Sequence, residues 1–542
     1  MSDCCNYRQV TTVEETIRSC AFVCVALVVM FGSVKIVQAR SPQMLPIDQL
    51  DAPVGGSTTD KFGQSISMNS EFGAVGTPGL NVTVGASTHL AQGGVHIYKN
   101  MGDGIFNFQT TLTATIGTAN DGCGMSVSAS ADWVVGGAPG RNIFTTSNQL
   151  QAGIVWAWKR NGSNWQSTPY ALTHPDPQSL DLFGSAVALD EQSKDGVTHR
   201  TIVAGAPSDN VVYVDCGSVC VFEWNDVLQQ WDRTAFIAPP TLAGEDPYLN
   251  SYGYFGSSVA IYDDFMIIGA KRQTVSVSKQ GTAYVFRRNT LANPAPTILQ
   301  TNPAWGEWCL VQRLTSSAPV PDEAFGAAMS VSPWNLMVGA PGGSTSKGSV
   351  SIYDLDPTTE RFVFNAVISA VGGQVGDQFG ASVVMKSNAA LIGAPGVDAG
   401  TAPNTLTNRG LVYVFTRGAS SCESWSQGLT YYPPPTANVA EAGFGTALDL
   451  SSNDVVISAP KAPNQQLGQG NVFTYSLDTV SCPPDVNGDG GVDGADLVTF
   501  FSHWGGCSPS DQVADYNHSG CVDADDLAYI LAHWGPCICG SN

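Results

Sequence analysis

Charge is what this chain has least of. Only 13% of its 542 residues are Asp, Glu, Lys or Arg, and the basic ones are scarcest, 24 against 46 acidic. The net charge of -22 removes the usual electrostatic route to nucleic acid, because like charge repels phosphate. So little charge also argues against a coiled coil or a charged disordered chain. Long apolar runs are missing after residue 39, so no later segment is fit to span a membrane as a helix. Gly-x-Ser-x-Gly, His-Glu-x-x-His, the P-loop and the dinucleotide glycine fingerprint are missing too, which leaves no catalytic motif. Of the seven histidines, His89, His96, His174 and His199 fall in or beside strand-like segments with no partner visible in the sequence. A site assembled from distant segments would leave no motif, so this lack does not by itself exclude an enzyme.

What is plentiful is glycine (58) and proline (31), the composition of a turn-rich β protein. The one long apolar run, Ala21 to Val34, follows Arg18 and precedes Val37-Gln38-Ala39, a small-x-Ala cleavage pattern. Residues 1–39 are therefore expected to be a signal peptide, and the rest extracellular, cell-surface or periplasmic. An uncleaved anchor is the alternative. Cleavage would leave ten of the 14 cysteines, five of them in the last 61 residues, with a pairing that spacing cannot give.

Between residues 44 and 480 one phrase recurs: Phe-Gly, a Ser/Ala and Val strand, a short gap, Gly-Ala-Pro, then Gly and a strand ending in an aromatic. Phe-Gly stands at Phe62, Phe183, Phe255, Phe325, Phe379 and Phe444, and Cys123-Gly124 takes its place once. The second element reads Gly85-Ala86-Ser87, Gly137-Ala138-Pro139, Gly205-Ala206-Pro207, Gly269-Ala270-Lys271, Gly339-Ala340-Pro341, Gly393-Ala394-Pro395 and Ser458-Ala459-Pro460. The third strand closes on Tyr98, Trp158, Phe222, Phe286, Tyr353, Phe415 and Tyr475. Each copy reads as four strands, and one such sheet cannot bury both faces alone, so the copies must stack radially. The last copy lacks a fourth strand, and residues 45–50 read like the missing one. An all-β seven-bladed β-propeller over 44–480, closed by the N-terminal strand 45–50, is the expected fold. Trp156 and Trp158 hold positions equivalent to Tyr413 and Phe415, which favours packing between blades over carbohydrate stacking. Asp176, Asp181, Glu245 and Asp246 lead into Phe-Gly turns and are expected in solvated loops.

This pattern resembles the FG-GAP repeats of the integrin α-subunit head and of many exported bacterial proteins. The resemblance implies a ligand-binding or adhesion propeller. It also implies calcium loops between Phe-Gly and Gly-Ala-Pro, but here that gap is mostly a short hairpin. The one long gap carries Asp190, Gln192 and Lys194, and a lysine does not suit a cation site. Calcium is not expected on the propeller.

Residues 485–496 and 515–526 are two copies of another pattern. Oxygen donors fall at positions 1, 3, 5, 9 and 12: Asp485, Asn487, Asp489, Asp493 and Asp496, then Asp515, Asn517, Ser519, Asp523 and Asp526. Gly490 and Gly520 sit at the sharp turn, and Gly491 and Cys521 offer backbone carbonyls at position 7. Calcium takes six to eight hard oxygens, and this EF-hand-type spacing wraps them around one point. Two Ca2+ ions are expected. A matching stripe follows each loop, Leu497, Phe500, Phe501, Trp504 and Leu527, Ile530, Leu531, Trp534, which predicts two helices packed face to face.

Duplicated loop-helix units with Asp at position 12 resemble a dockerin, so 482–539 is expected to be a small α-helical dockerin-like module. The resemblance implies a cohesin-like or cell-surface protein partner. Positions 10 and 11 depart from the family's usual Ser/Thr pair, being Gly494-Ala495 and Ala524-Asp525. Three readings follow. The first is a non-catalytic binding or adhesion propeller, with a protein or glycan ligand, tethered by the calcium module. The second is a dockerin-borne polysaccharide lyase or glycoside hydrolase with a cryptic site. The third is a structural envelope or matrix protein. The first is preferred.

Overall fold

In the computed structural model, residues 46–477 are described apart from 51, 53–56, 195–196, 243, 290–305, 343–345, 387–388, 400–405, 418–423, 452–453 and 465–467. Parts of 491–536 are also described: 491–492, 494–506, 514, 522–532 and 535–536. No helix among these residues is long and apolar enough to cross a membrane.

Seven antiparallel sheets form the propeller. In the sixth blade, for example, Ser382–Lys386, Ala389–Ala394, Leu411–Thr416 and Ser426–Tyr431 pair in that order. The innermost strands are Ile66–Met68, Ser126–Ala129, Ala186–Lys194, Phe255–Tyr262, Ala328–Val331, Ser382–Lys386 and Leu448–Ser451. Each neighbours the next, and the last returns to the first. The core lies between blades: seven clusters of buried apolar side chains each draw on two adjacent sheets. That is why both faces of these strands are apolar. Trp156 and Trp158 are fully buried in the cluster shared by blades 1 and 2.

The repeated phrase does its work at the blade junctions. Each Phe (or Cys123) donates its N–H to the residue just before the glycine that opens the third strand of the preceding blade. The acceptors are Gln469, Gln92, Ala152, Cys216, Gln280, Lys347 and Arg409, all at 2.8–3.1 Å. The first of these joins blade 1 to blade 7, so the bonded ring is complete. Where Ser stands two residues after Phe-Gly, its hydroxyl reaches the Phe-Gly carbonyl of the next blade: Ser65 to Gly124, Ser126 to Gly184, Ser258 to Gly326 and Ser382 to Gly445.

The glycine of Gly-Ala-Pro is required by the same close approach. A Cβ at Gly205 would lie 1.9 Å from the Gly256 carbonyl oxygen, a backbone atom that cannot swing aside as a side chain could. Gly205→Ala is expected to destabilise the propeller by about 2–4 kcal/mol through overpacking. Gly428→Ala, where the nearest atom is 3.7 Å away, should cost under about 1 kcal/mol in the same calorimetric comparison. Equal effects would refute this account of the glycine.

One part of the repeat is displaced from its expected place. In blade 1 the element equivalent to Gly-Ala-Pro is Gly76-Thr77-Pro78, at the end of strand Phe72–Thr77. Gly85-Ala86-Ser87 instead turns an extra hairpin, Val82–Val84 with Ser87–His89. The long gap of the third copy is also a hairpin, Ala186–Lys194 with Val197–Ala206. Within it Asp190 accepts bonds from the Gln192 amide and from the Asp263 N–H.

Asp48–Leu50 pairs with the third strand of blade 7, Asp48 opposite Thr474 and Leu50 opposite Val472. Chain direction then fixes where the ends leave. Strand Asn471–Ser476 starts on the face that carries the Phe-Gly and Gly-Ala-Pro loops and ends beside Asp454, on the other face. Asp48 enters from that same far face. The loop face is thus clear of both points where the chain joins blade 7.

Candidate functional site

The loop face is built from the segments leading into Phe-Gly and from the links between second and third strands. Two neighbouring junctions on it carry exposed apolar side chains. Between blades 2 and 3 stand Phe144 (79% exposed), Leu150 and Leu180, and the Leu180 N–H is bonded to the Leu150 carbonyl. Between blades 3 and 4 stand Val212, Val214, Tyr248 (71% exposed) and Tyr252. There the Tyr252 N–H bonds to the Val214 carbonyl, and the Tyr213 and Tyr248 rings lie 5.1 Å apart. Apolar patches held open to water by a rigid backbone mark interaction surfaces.

The four acids expected in solvated loops divide. Asp176 is exposed, Asp246 caps the short helical turn Pro247–Asn250 through the Tyr248 N–H, and Glu245 is paired with Arg313 at 2.7 Å. Asp181 departs from expectation because it is fully buried. Two residues before Phe-Gly, blades 1, 2, 3, 5 and 6 carry Asp60, Asp121, Asp181, Glu323 and Asp377. Each accepts the backbone N–H three residues earlier at 2.6–3.1 Å. The acid is a turn-closing group, and Asp-x-Phe-Gly was the available signal for it.

His174 also has partners that the sequence hid. Its Nε2 lies 3.1 Å from Asp209 Oδ2 and 3.2 Å from Ser218 Oγ, while the Ser218 hydroxyl donates to Asp209 at 2.6 Å. Serine, histidine and aspartate together suggest a hydrolytic triad, but all three are buried and the serine proton is committed to the aspartate rather than to the imidazole. Substrate has no access, and the trio is an interblade strut. An open cavity of about 420 Å³ at the outer edge of blade 2 is lined by Gln166, Ser167, Thr168, Pro169 and Tyr170, without an acid, imidazole or thiol.

Of the twelve expected calcium donors, Asp485, Asn487, Asp489, Asp493, Asp515, Asn517, Ser519 and Cys521 lie outside the described residues. Gly491 pairs with Pro536 and Val492 with Gly535, and Asp496 falls in helix Gly494–Ser502. Asp523 and Asp526 come together at the start of helix Ala524–Ala532, where Asp526 is buried and accepts the Asp523 N–H at 2.9 Å. That contact is a helix cap in its own right. No cluster of three metal-binding side chains occurs among the described residues. The donor set itself, all oxygen, suits calcium rather than zinc.

The duplication is visible in the contacts. Val492 and Val522 each occupy position 8 of a loop. Val492 pairs with Gly535, just after the second helix, while Val522 exchanges hydrogen bonds with Gly505 and Gly506, just after the first. The expected face-to-face stripes are only half buried. Phe500 and Ile530 are buried with Val522 and Ala514, and Leu497 and Leu527 pack against them. Phe501 (50%), Trp504 (45%) and Leu531 (52%) are exposed, although the Phe501 and Trp504 rings each lie 5.6 Å from that of Phe500, and Trp534 lies outside the described residues.

Residues 249–286 and 362–415 match the family model described as FG-GAP repeat. No curated protein matches the sequence. Among solved structures, a protein from Lactobacillus plantarum is similar at 14% identity and a TM-score of 0.42, covering 76% of this chain and 93% of that one. Sqt1 from Saccharomyces cerevisiae is similar at 9% identity and a TM-score of 0.41, covering 81% of this chain and all of that one.

Proposed function

We propose that this FG-GAP propeller is an exported, non-catalytic binding protein that engages a protein or glycan ligand through its loop face. The carrying observation is the exposed set Phe144, Leu150, Leu180, Val212, Val214, Tyr248 and Tyr252 on the face opposite both chain exits from blade 7. A tether on one face leaves the other free to bind. In this reading the module 482–539 is the tether. It is a dockerin-like unit whose two loops take calcium through the twelve donors named above, and its partner is a cohesin-like or cell-surface protein. The burial of the Ser218–His174–Asp209 trio weighs against a hydrolase.

The test is capture from the native extracellular fraction with calcium present, beside a glycan-degradation screen. Tyr248→Ala with Tyr252→Ala should weaken retention of the propeller's ligand at least tenfold, since aromatic anchors carry about 1–2 kcal/mol or more each. Melting should be unchanged, because both rings are exposed. Retention equal to wild type would remove the loop face from the reading, and glycan cleavage would replace the reading with the enzymatic one.

A further inference from the structure

The turn-closing acids are not partnered alike; in blades 5 and 6 the residue three before the acid is Val320 or Gln374, which bonds it through the backbone N–H. In blades 1 and 2 the residue three before the acid is Ser57 or Thr118, whose hydroxyl bonds the second carboxylate oxygen of Asp60 or Asp121. Asp121 is paired with Arg141 as well. In blade 3 that residue is Gln178, which supplies only its N–H. Asp181 Oδ1 is buried without a hydrogen-bond partner among the described residues.

Around it are the other polar groups of the junction. His174, on the same segment, bonds Asp209 and Ser218 of blade 3, and its Nδ1 faces the Asp176 N–H at 3.4 Å. Asp176 is the exposed acid of the segment, and the buried thiol of Cys216 lies 3.6 Å from the Asp209 carbonyl. Cys220, also buried, lies within electrostatic reach of both Asp209 and Arg233. Phe183 and Phe236 close the walls, 5.8 and 5.3 Å from the imidazole. The segment is strained as well as charged: Leu180 and Leu182 have φ of 73° and 57°, where leucine is rarely found. Their N–H groups are what tie it to blade 2, at the Leu150 and Gln151 carbonyls.

We propose that segment 174–182 is a proton-operated latch between blades 2 and 3: it is held shut while His174 and Asp181 carry protons and opens more readily once they lose them. An ionised Asp181 would leave a buried anionic oxygen with no donor, beside the carboxylate of Asp209, and only opening rehydrates it. If the loop face binds as proposed above, Leu180 makes that face pH-sensitive, but the latch stands without that reading.

The electrostatics run the same way. Burial, with the Asp209 charge adding to it, raises the Asp181 carboxyl to about 6. Burial is the largest influence on His174 and would lower it, but the bond to Asp209, the Asp209 charge, the Asp176 backbone and the Asp181 charge together leave it above its ordinary value. Both folded values are raised, so closure is strongest in acid and is lost as pH rises through them. From pH 5 to pH 8 Asp181 alone should increase the opening equilibrium roughly tenfold, and His174 adds in the same direction.

Amide exchange of the full-length protein at pH 5, 6, 7 and 8, corrected for intrinsic rates, tests this. Protection at 178–183 should fall about tenfold or more across the range, while the equivalent amides at 118–123 in blade 2 hold steady. Gln178→Thr, which restores the hydroxyl found in blade 2, should flatten the profile, as should Asp181→Asn. If Asp181→Asn disturbs folding, Gln178→Thr decides alone. Equal pH dependence at both junctions, or an unaltered profile in Gln178→Thr, would overturn the latch.

Discussion

Deleting residues 44–51 should open the ring and lower the propeller's melting temperature by on the order of 10 °C. The strand is short, yet it does three things. Its backbone completes blade 7, with the Ile47 N–H bonded to the Thr474 carbonyl at 2.8 Å and register held through Leu50 and Val472. Leu50 is buried against Phe62, Tyr98 and Phe106 in the cluster that joins the last blade to the first. Losing a buried leucine alone costs about 2–5 kcal/mol. Lastly, the strand covers the edge of Asn471–Ser476, which would otherwise be open to pairing with another chain. Against a total stability of about 5–15 kcal/mol, the sum is decisive. Scanning calorimetry of wild type, the deletion and Leu50→Asp would read it, and adding residues 44–51 back as a peptide should recover part of the loss. An unchanged transition in both variants would show that the ring closes without this strand.

That strand was legible because its absence was: six copies had four strands and one had three. The same arithmetic made the propeller readable, since Phe-Gly and the third-strand aromatics sit at junctions that every blade must repeat. Blade 1 misled because Gly76-Thr77-Pro78 departs from Gly-Ala-Pro while an inserted hairpin imitates it nine residues later. The partners of His174 were hidden for a different reason. Asp209 and Ser218 are 35 and 44 residues away, in the link after the second strand of blade 3 and at the start of its third, brought beside it only by radial stacking. Asp181 looked like a loop acid because it is one; its burial depends on the neighbouring blade, and what sets it apart from the equally buried Asp121 is that Gln178 brings no hydroxyl to its second oxygen. In the C-terminal module helical periodicity identified the stripes but not their width, which depends on how large a core the facing segments build. Phe501 and Trp504 therefore touch the Phe500 ring while remaining about half open to water, and Leu531 is exposed to the same degree.

Calcium removal should unfold residues 482–539 and leave the propeller intact, because the two parts are stabilised by different means. Seven interblade clusters hold the propeller, whereas Phe500, Ala514, Val522 and Ile530 are the buried apolar residues described in the module. If the module is the calcium unit proposed above, ligand binding adds to what its packing supplies against chain entropy. With free calcium at about a hundredfold above the dissociation constant, each loop contributes roughly 2.7 kcal/mol. The loops should not contribute equally. The first offers four carboxylates, Asp485, Asp489, Asp493 and Asp496; the second offers three, Asp515, Asp523 and Asp526, with Ser519 at position 5. Affinity in such loops rises with ligand charge, so the first should be the tighter. Asp489→Ala should unfold the module at calcium levels that wild type tolerates, and Ser519→Asp should tighten the weaker site. Calcium titration calorimetry on the full chain, with Trp504 fluorescence as a local reporter, distinguishes the outcomes. A propeller transition that falls sharply with chelator would place calcium in the blades, and a single affinity unmoved by Ser519→Asp would remove position 5 from the ligand set.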